Sequence, residues 1–186
     1  MSLPERLAGR LSILVLVIVL VQIVASPITV ARAADKDLEI VGWIERVRLL
    51  DPTVDLEAKL DTGAATSSLD AEILKKYRLG KERWVRFRVI DRKTGEEHII
   101  ARKRIRTVSI VRHDGERQSR PVVSMRICLA GRVLDTEVSL IDRSEFAYPL
   151  LLGRSALSSF TLIDPGNTYL SEPDCSVHVE DQERRL

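Results

Sequence analysis

From Glu39 onward the chain reads as short runs in which apolar and polar residues alternate, the period of a strand rather than a helix. Glu39 to Leu50 carries Ile40, Trp43, Ile44, Val47 and Leu49 and stops at Asp51-Pro52, and Leu56 to Leu60 forms the next run. Val85-Arg86-Phe87-Arg88-Val89 alternates strictly, as a half-buried strand does. A turn at Lys93-Thr94-Gly95-Glu96 is followed by a return over Glu97 to Ala101. Arg104 to Arg112 alternates around Ile105, Val108 and Ile110, and His113-Asp114-Gly115 suits a hairpin turn. Pro121 to Leu129 and Arg132 to Ile141 pair around Ala130-Gly131. Leu150-Leu151-Leu152 is a continuous apolar run, as expected of a strand buried on both faces, and Thr161 to Asp164 is a last strand closed by Pro165-Gly166. Helical spacing occurs twice: Leu69, Ile73 and Tyr77 share one face ahead of Gly80, and Arg154 to Phe160 follows Gly153. The pattern predicts an all-β, closed barrel domain with one or two short helices.

The N-terminus has a different pattern. Arg6 and Arg10 precede a run from Leu11 to Ala25 broken only by Ser12 and Gln22, and Ala31-Arg32-Ala33 offers a small-x-small cleavage site. The run is short for a spanning helix, which needs about 20 residues. Residues 1–33 are therefore expected to be a signal peptide, with an uncleaved anchor as the alternative, and the remainder to be exported: periplasmic, or held at the inner membrane facing the periplasm. The domain is expected over 38–170, with 171–186 as a charged C-terminal tail that frays from Asp174 onward.

Charge and cysteine content narrow the reading further. The leader removes three Arg and one Glu, leaving 26 basic and 26 acidic residues, so net charge gives no argument for nucleic acid or a membrane surface. Cys128 and Cys175 are open to two readings: one disulfide in an exported chain, or a Cys128 that is simply a small buried apolar residue within Met125 to Leu129.

One stretch carries chemistry. Lys59-Leu60-Asp61-Thr62-Gly63-Ala64-Ala65-Thr66-Ser67-Ser68-Leu69 sets a carboxylate at the end of an apolar strand, followed by a hydroxyl residue and a glycine. Gly63 lets the backbone approach closely or take positive φ, and nearby N–H groups can reach the Asp61 oxygens. Two such turns face to face would let two carboxylates share a proton and polarise a water between them. The tripeptide occurs once, so a second copy must come from a second subunit. The bland alternative is a surface turn. Against it stand Leu60 before the turn, the small residues Ala64, Thr66 and Ser67 after it, and Leu150-Leu151-Leu152-Gly153-Arg154 downstream.

Leu60-Asp61-Thr62-Gly63-Ala64 with a later Leu-Leu-Gly-Arg resembles the retropepsins, single-domain dimeric aspartic peptidases. The fuller resemblance is to a retropepsin-like bacterial family labelled "ATP-dependent zinc protease". It is carried by Gly42-Trp43-Ile44-Glu45, Ala58 to Ala64, Arg120-Pro121-Val122-Val123, Asp142-Arg143-Ser144 and Tyr148 to Arg154, and it covers roughly 40–165. The resemblance implies a retropepsin-like barrel in which Asp61, Thr62 and Gly63 are catalytic and Ala64, Thr66, Leu152, Gly153 and Arg154 support the site or the substrate. It implies a homodimer whose two Asp61 residues activate a water, with extended peptide lying in the cleft as an added strand. A link to glutamate-ligase systems is conceivable on the same ground. The label's cofactors are not expected: there is no phosphate-cradling Gly-x-x-x-x-Gly-Lys-Ser/Thr, no His-Glu-x-x-His, and His98, His113 and His178 are scattered without ligand spacing.

Two hairpins compete to cover the cleft, Val85 to Ile99 turning at Thr94-Gly95 and Ile105 to Val123 turning at His113-Asp114-Gly115. Arg154 is expected to pair with a carboxylate near the subunit interface rather than to touch substrate. Asp142-Arg143-Ser144 is expected to be a turn with a local ion pair, and Arg102-Lys103-Arg104 with Arg106 a solvated basic face able to attract acidic peptides. The alternative function is a non-catalytic peptide-binding module of the same fold.

Overall fold

The computed structural model describes residues 37–111 and 115–175. The expected leader, the His113-Asp114 part of the second hairpin turn, and the tail from 176 lie outside the described residues. No described helix is long and apolar enough to cross a membrane.

Among the described residues, eleven strands and one helical turn follow in order: β1 Glu39–Gly42, β2 Ile44–Leu50, β3 Thr53–Leu60, β4 Ser67–Asp70, β5 Glu72–Leu79, β6 Glu82–Ile90, β7 Glu97–Val111, β8 Arg117–Leu129, β9 Arg132–Ile141, β10 Leu150–Leu152, α1 Arg154–Leu157 and β11 Thr161–Asp164. β1 and β11 form a small parallel pair. The other nine make one sheet in the order β2-β3-β10-β4-β9-β8-β7-β6-β5, and β2 also pairs with β8, so six strands close a barrel. That closing seam is short: Arg48 faces Cys128 and Leu49 faces Ile127. β7, β6 and β5 continue outward from the N-terminal half of β8.

Alternation explains the interior. Val54, Leu56, Ala58 and Leu60 of β3 are buried while the residues between them are exposed or half-buried, and Val85, Phe87 and Val89 do the same on β6. With Leu140, Leu150, Leu152, Leu157 and Phe160 they form one continuous core. Burial of this apolar area is the main force holding the barrel.

The expected all-β barrel is found, and β9, β10 and β11 have the expected bounds. The helix expected over Leu69 to Tyr77 is not formed: Leu69 lies on β4, and Ile73 and Tyr77 lie on β5, opposite Phe87 and Trp84. Pairing with β6 overrides a spacing that also suited a helix. The two strands expected between Glu97 and Arg112 are one 15-residue strand, β7, with Arg102-Lys103-Arg104 inside it. The short helix after Gly153 stops at Leu157.

The cysteines are joined. Cys128 and Cys175 form a disulfide with Cα atoms 6.0 Å apart, which corrects the reading of Cys128 as merely a small buried side chain. The stretch expected to be tail begins inside the domain. Glu45, fully buried, accepts at Oε1 from the Gly42 and Leu170 N–H groups (2.6 and 2.9 Å) and at Oε2 from the Ser171 N–H and hydroxyl (3.2 and 3.1 Å). Four donors on one carboxylate make its burial tolerable and fasten residues 170–171 to the β1–β2 junction. Gly42 is required there by close approach, since a Cβ would lie 2.7 Å from the Asn167 carbonyl oxygen.

Candidate active site

β10 lies between β3 and β4, parallel to β3 and antiparallel to β4, so the loop joining those two strands must pass around its end. That loop is 61–66. The Asp61 N–H donates to the Leu152 carbonyl at 2.9 Å, and the Ala64 N–H donates back to the Asp61 carbonyl at 3.2 Å. The Arg154 and Ser155 N–H groups donate to the Ala64 and Ala65 carbonyls (2.9 and 3.1 Å). The Arg154 guanidinium adds bonds to the Thr62 and Gly63 carbonyls at 2.8 and 3.1 Å. It meets backbone oxygens, not the carboxylate expected of it. One guanidinium Nη1 satisfies two carbonyls that the tight turn leaves without strand partners.

Gly153 is fixed by space. A Cβ on it would meet the Thr66 oxygen at 2.6 Å and the Thr66 nitrogen at 2.9 Å, and its N–H donates to the Ser67 Oγ at 3.2 Å. Gly63 likewise serves close approach, since a Cβ there would stand 3.1 Å from Asp61 Oδ1. Leu152 is buried, and Thr62, Gly63 and Thr66 are exposed at the rim. Asp61, Thr62, Gly63, Ala64, Thr66, Leu152, Gly153 and Arg154 are thus all brought together, 92 residues apart in sequence between Thr62 and Arg154.

The Asp61 carboxylate keeps 26% of its side-chain surface open to solvent. Oδ1 accepts the Gly63 N–H at 2.9 Å and Oδ2 lies 3.2 Å from the Lys59 ammonium. Burial pushes its pKa up, but the Lys59 hydrogen bond and charge and the Gly63 and Ala64 N–H groups outweigh it and hold the group below the usual carboxylate range. A single chain therefore presents an ionised, oriented acceptor. A second carboxylate beside it would push one of the two back up, the condition for one protonated and one ionised partner.

Sequence reasoning missed the cluster behind the loop. Arg143 is buried, with Nη1 on the Ser68 hydroxyl (2.8 Å), Nε on the Tyr148 carbonyl (3.2 Å) and the guanidinium 4.5 Å from the Phe146 ring centre. Burial lowers its pKa against the opposing pull of Asp70, and Asp61 is near enough to add to that pull. Asp70 Oδ1 accepts the Arg143 N–H at 2.7 Å, while its Oδ2 is bound by Arg92 at 2.6 Å. The ion pair expected within Asp142-Arg143-Ser144 is not local: Asp142 accepts the Ser144 N–H, and the paired carboxylate is Asp70, 22 residues before its partner Arg92. Arg92 also donates to the Arg143 and Phe146 carbonyls, both at 2.7 Å, which ties the β6–β7 turn to the 143–147 loop. Trp43 packs edge-on against Tyr148 with ring centres 6.2 Å apart, joining the two motif segments that flank the site. Among the described residues no group of three or more His, Cys, Asp or Glu side chains is arranged to hold a metal.

A family model for RimB-like proteins, described as retropepsin-like aspartic endopeptidase RimB, matches residues 40–174. The chain belongs to this family. The crystal structure of a Legionella pneumophila protein of unknown function superposes with a TM-score of 0.63 at 35% identity, covering 72% of this chain and 98% of that one. Among curated relatives, a probable alpha-L-glutamate ligase of Shewanella halifaxensis is 32% identical over 127 residues, and one of Desulfotalea psychrophila is 32% identical over 117. These matches take in 67% and 59% of this chain but 28% and 24% of those proteins, so the chain spans about a quarter of the length of the curated relatives it matches. The RimB-like domain and its motifs from Gly42 to Arg154 coincide with the barrel and its loop.

Proposed function

We propose that this RimB-like chain is an exported aspartic endopeptidase that works as a homodimer, one Asp61 from each subunit forming the catalytic pair. The observation that carries the reading is the Asp61 loop, bound through its backbone to Leu152 and Arg154 while its carboxylate stays open at the rim. Preorganisation of this kind is what a reacting group needs. In the proposed reaction a water between the two carboxylates loses a proton to the ionised Asp61 and attacks the peptide carbonyl carbon. The protonated Asp61 of the second subunit hydrogen-bonds the carbonyl oxygen, and the amine leaves with a proton as the carbon–nitrogen bond breaks. The exposed Thr62 side chain is available to brace one loop against its copy. The Cys128–Cys175 disulfide supports residence in an oxidising compartment, as the leader pattern suggests.

The relatives named probable alpha-L-glutamate ligase support a link to glutamate-containing chains, as substrate or as partner. A second reading, a peptide-binding module that does not cut, is favoured by one observation: Lys59 already neutralises the Asp61 carboxylate. Peptidase assays from acid to neutral pH separate the two. Wild-type protein is expected to cleave, to lose cleavage with pepstatin or Asp61→Asn, and to sediment as a dimer. Peptide binding without turnover, or unchanged cleavage by Asp61→Asn, would remove the peptidase reading.

A further inference from the structure

The outer hairpin, β5 with β6, concentrates positive charge out of proportion to the whole chain. Residues 72–90 hold seven Lys and Arg but only two carboxylates, Glu72 and Glu82, whereas the full chain carries a net charge of +2. Both carboxylates are already taken: Glu72 pairs with Arg88, and Glu82 with Lys103. Lys75, Lys76, Arg78, Lys81, Arg83 and Arg86 are exposed and have no carboxylate partner among the described residues. Two pairs of these cations stand directly opposite each other across the hairpin, Lys75 facing Arg86 and Arg78 facing Arg83. Like charges in that position repel, so the arrangement costs stability in the free protein.

β5 is also the last strand of the nine-stranded sheet, so among the described residues its outer backbone edge has no partner. From Lys75 to Leu79 its register with β6 is continuous, beyond a bulge at Ile73–Lys75. Side chains alternate along a strand, so Lys75 projects to one face of the sheet and Lys76 and Arg78 to the other. Residues on one face repeat every ~6.6 Å, the spacing of alternate side chains on any peptide added in extended form.

We propose that the β5 edge is a docking strand for an extended polypeptide with a run of consecutive acidic residues. The peptide's backbone would complete the sheet, and its carboxylates would meet cations on both faces and relieve the Lys75–Arg86 and Arg78–Arg83 repulsion. Cations on both faces of an open strand edge favour an acidic peptide over a nucleic acid, whose phosphates would follow one face. Charged side chains along an edge discourage it from pairing with its own copy, but cations set directly opposite one another on the partner strand add nothing to that protection. This surface is separate from the 61–66 loop, so it serves as an exosite for a substrate or partner tail.

The test is fluorescence anisotropy with a labelled oligoglutamate of about ten residues, using the full chain as wild type and as Asp61→Asn. The readout is binding, so its outcome stands whether or not Asp61 cuts. Oligoglutamate should bind both proteins, and oligoglutamine should not. Lys75→Glu with Arg78→Glu should weaken binding about tenfold or more, and Arg117→Glu on β8 should not. Lys75→Gln with Arg86→Gln should weaken it too, with a melting temperature unchanged or raised, so loss of fold cannot account for the result. A peptide N-methylated at alternate backbone positions should bind poorly. Binding indifferent to the Lys75 and Arg78 reversals, tolerance of N-methylation, or equal competition by a single-stranded oligonucleotide would overturn the proposal.

Discussion

The Arg154 guanidinium lies 2.8 Å from the carbonyl oxygen of Thr62, a residue that precedes it by 92 positions. Through that bond and its neighbour to Gly63, one exposed side chain holds the shape of the loop on which Asp61 is displayed. Replacing Arg154 by Ala should cost about 1–3 kcal/mol of stability. Peptidase activity should fall far more, by about a hundredfold, because a loop displaced by an ångström loses the reacting geometry. Arg154→Lys should not restore it, since the lysine nitrogen ends one bond short of the Arg154 Nη1 that makes both contacts. Melting curves and kcat on the same preparations separate the two effects.

Lys59 should set the pH range of activity. Its ammonium favours the ionised form of Asp61 and helps hold that pKa low. A pair of carboxylates works with one proton between them, so its acid limb follows the loss of the first proton and its alkaline limb the loss of the second. Removing a positive charge raises both values. Lys59→Met should move both limbs of the pH–rate profile toward higher pH. The folding balance has the same sign: a carboxylate held low contributes stability above its unfolded pKa and loses it as pH falls through the folded value. The Lys59→Met protein should therefore show a smaller acid-side fall in melting temperature that is traceable to Asp61. Limbs that stay in place would show that Lys59 does not act on the pair.

Gly153→Ala should destabilise without any loss of hydrogen-bonding groups. The added methyl carbon would lie 2.6 Å from the Thr66 oxygen, a backbone atom that cannot swing aside. Overpacking of this sort costs about 1–3 kcal/mol. The melting temperature should fall accordingly, and activity with it, because Thr66 closes the Asp61 loop. A variant with wild-type melting would mean that the loop yields more easily than its bonding suggests.

Reducing the disulfide, or replacing Cys128 and Cys175 together by Ala, should lower stability. The bridge spans 47 residues of sequence. Loop closure on that scale is worth about 4 kcal/mol in the chain-entropy account, within the range of about 2–5 kcal/mol for native bridges. Denaturant midpoints with and without reductant measure it.

Much of the architecture was written in local pattern. β9, β10 and β11 were legible residue for residue because their apolar alternation, or the unbroken Leu150–Leu152 run, ends at clear turn residues. The Asp61 loop and the Leu152-Gly153-Arg154 segment were legible because the residue types are unusual together. What escaped was decided at a distance. Leu69, Ile73 and Tyr77 have helical spacing, and only their pairing across to β6, β9 and β10 makes them strand. The gap between the runs Glu97–Ala101 and Arg104–Arg112 is closed by pairing, since Arg102 and Lys103 face Val85 and Trp84 of β6 and carry the strand through. The Arg143–Ser68 contact joins residues 75 apart, and the Arg92–Asp70 pair turns on a loop whose path no periodicity encodes. Whether Cys128 and Cys175 pair stayed open in the sequence for the same reason.

The barrel closes on itself through just two facing pairs of residues, and Cys128 is in one of them. A covalent rivet to Cys175 is therefore set at one of the two thinnest seams of the hydrogen-bonded hoop, the other being β4 with β10. Oxidation and completion of the hoop are coupled at that point: a thiol form must rely on two rungs and the buried apolar contacts beneath them to keep the ring shut, and the loop bearing Asp61 inherits whatever looseness the ring retains.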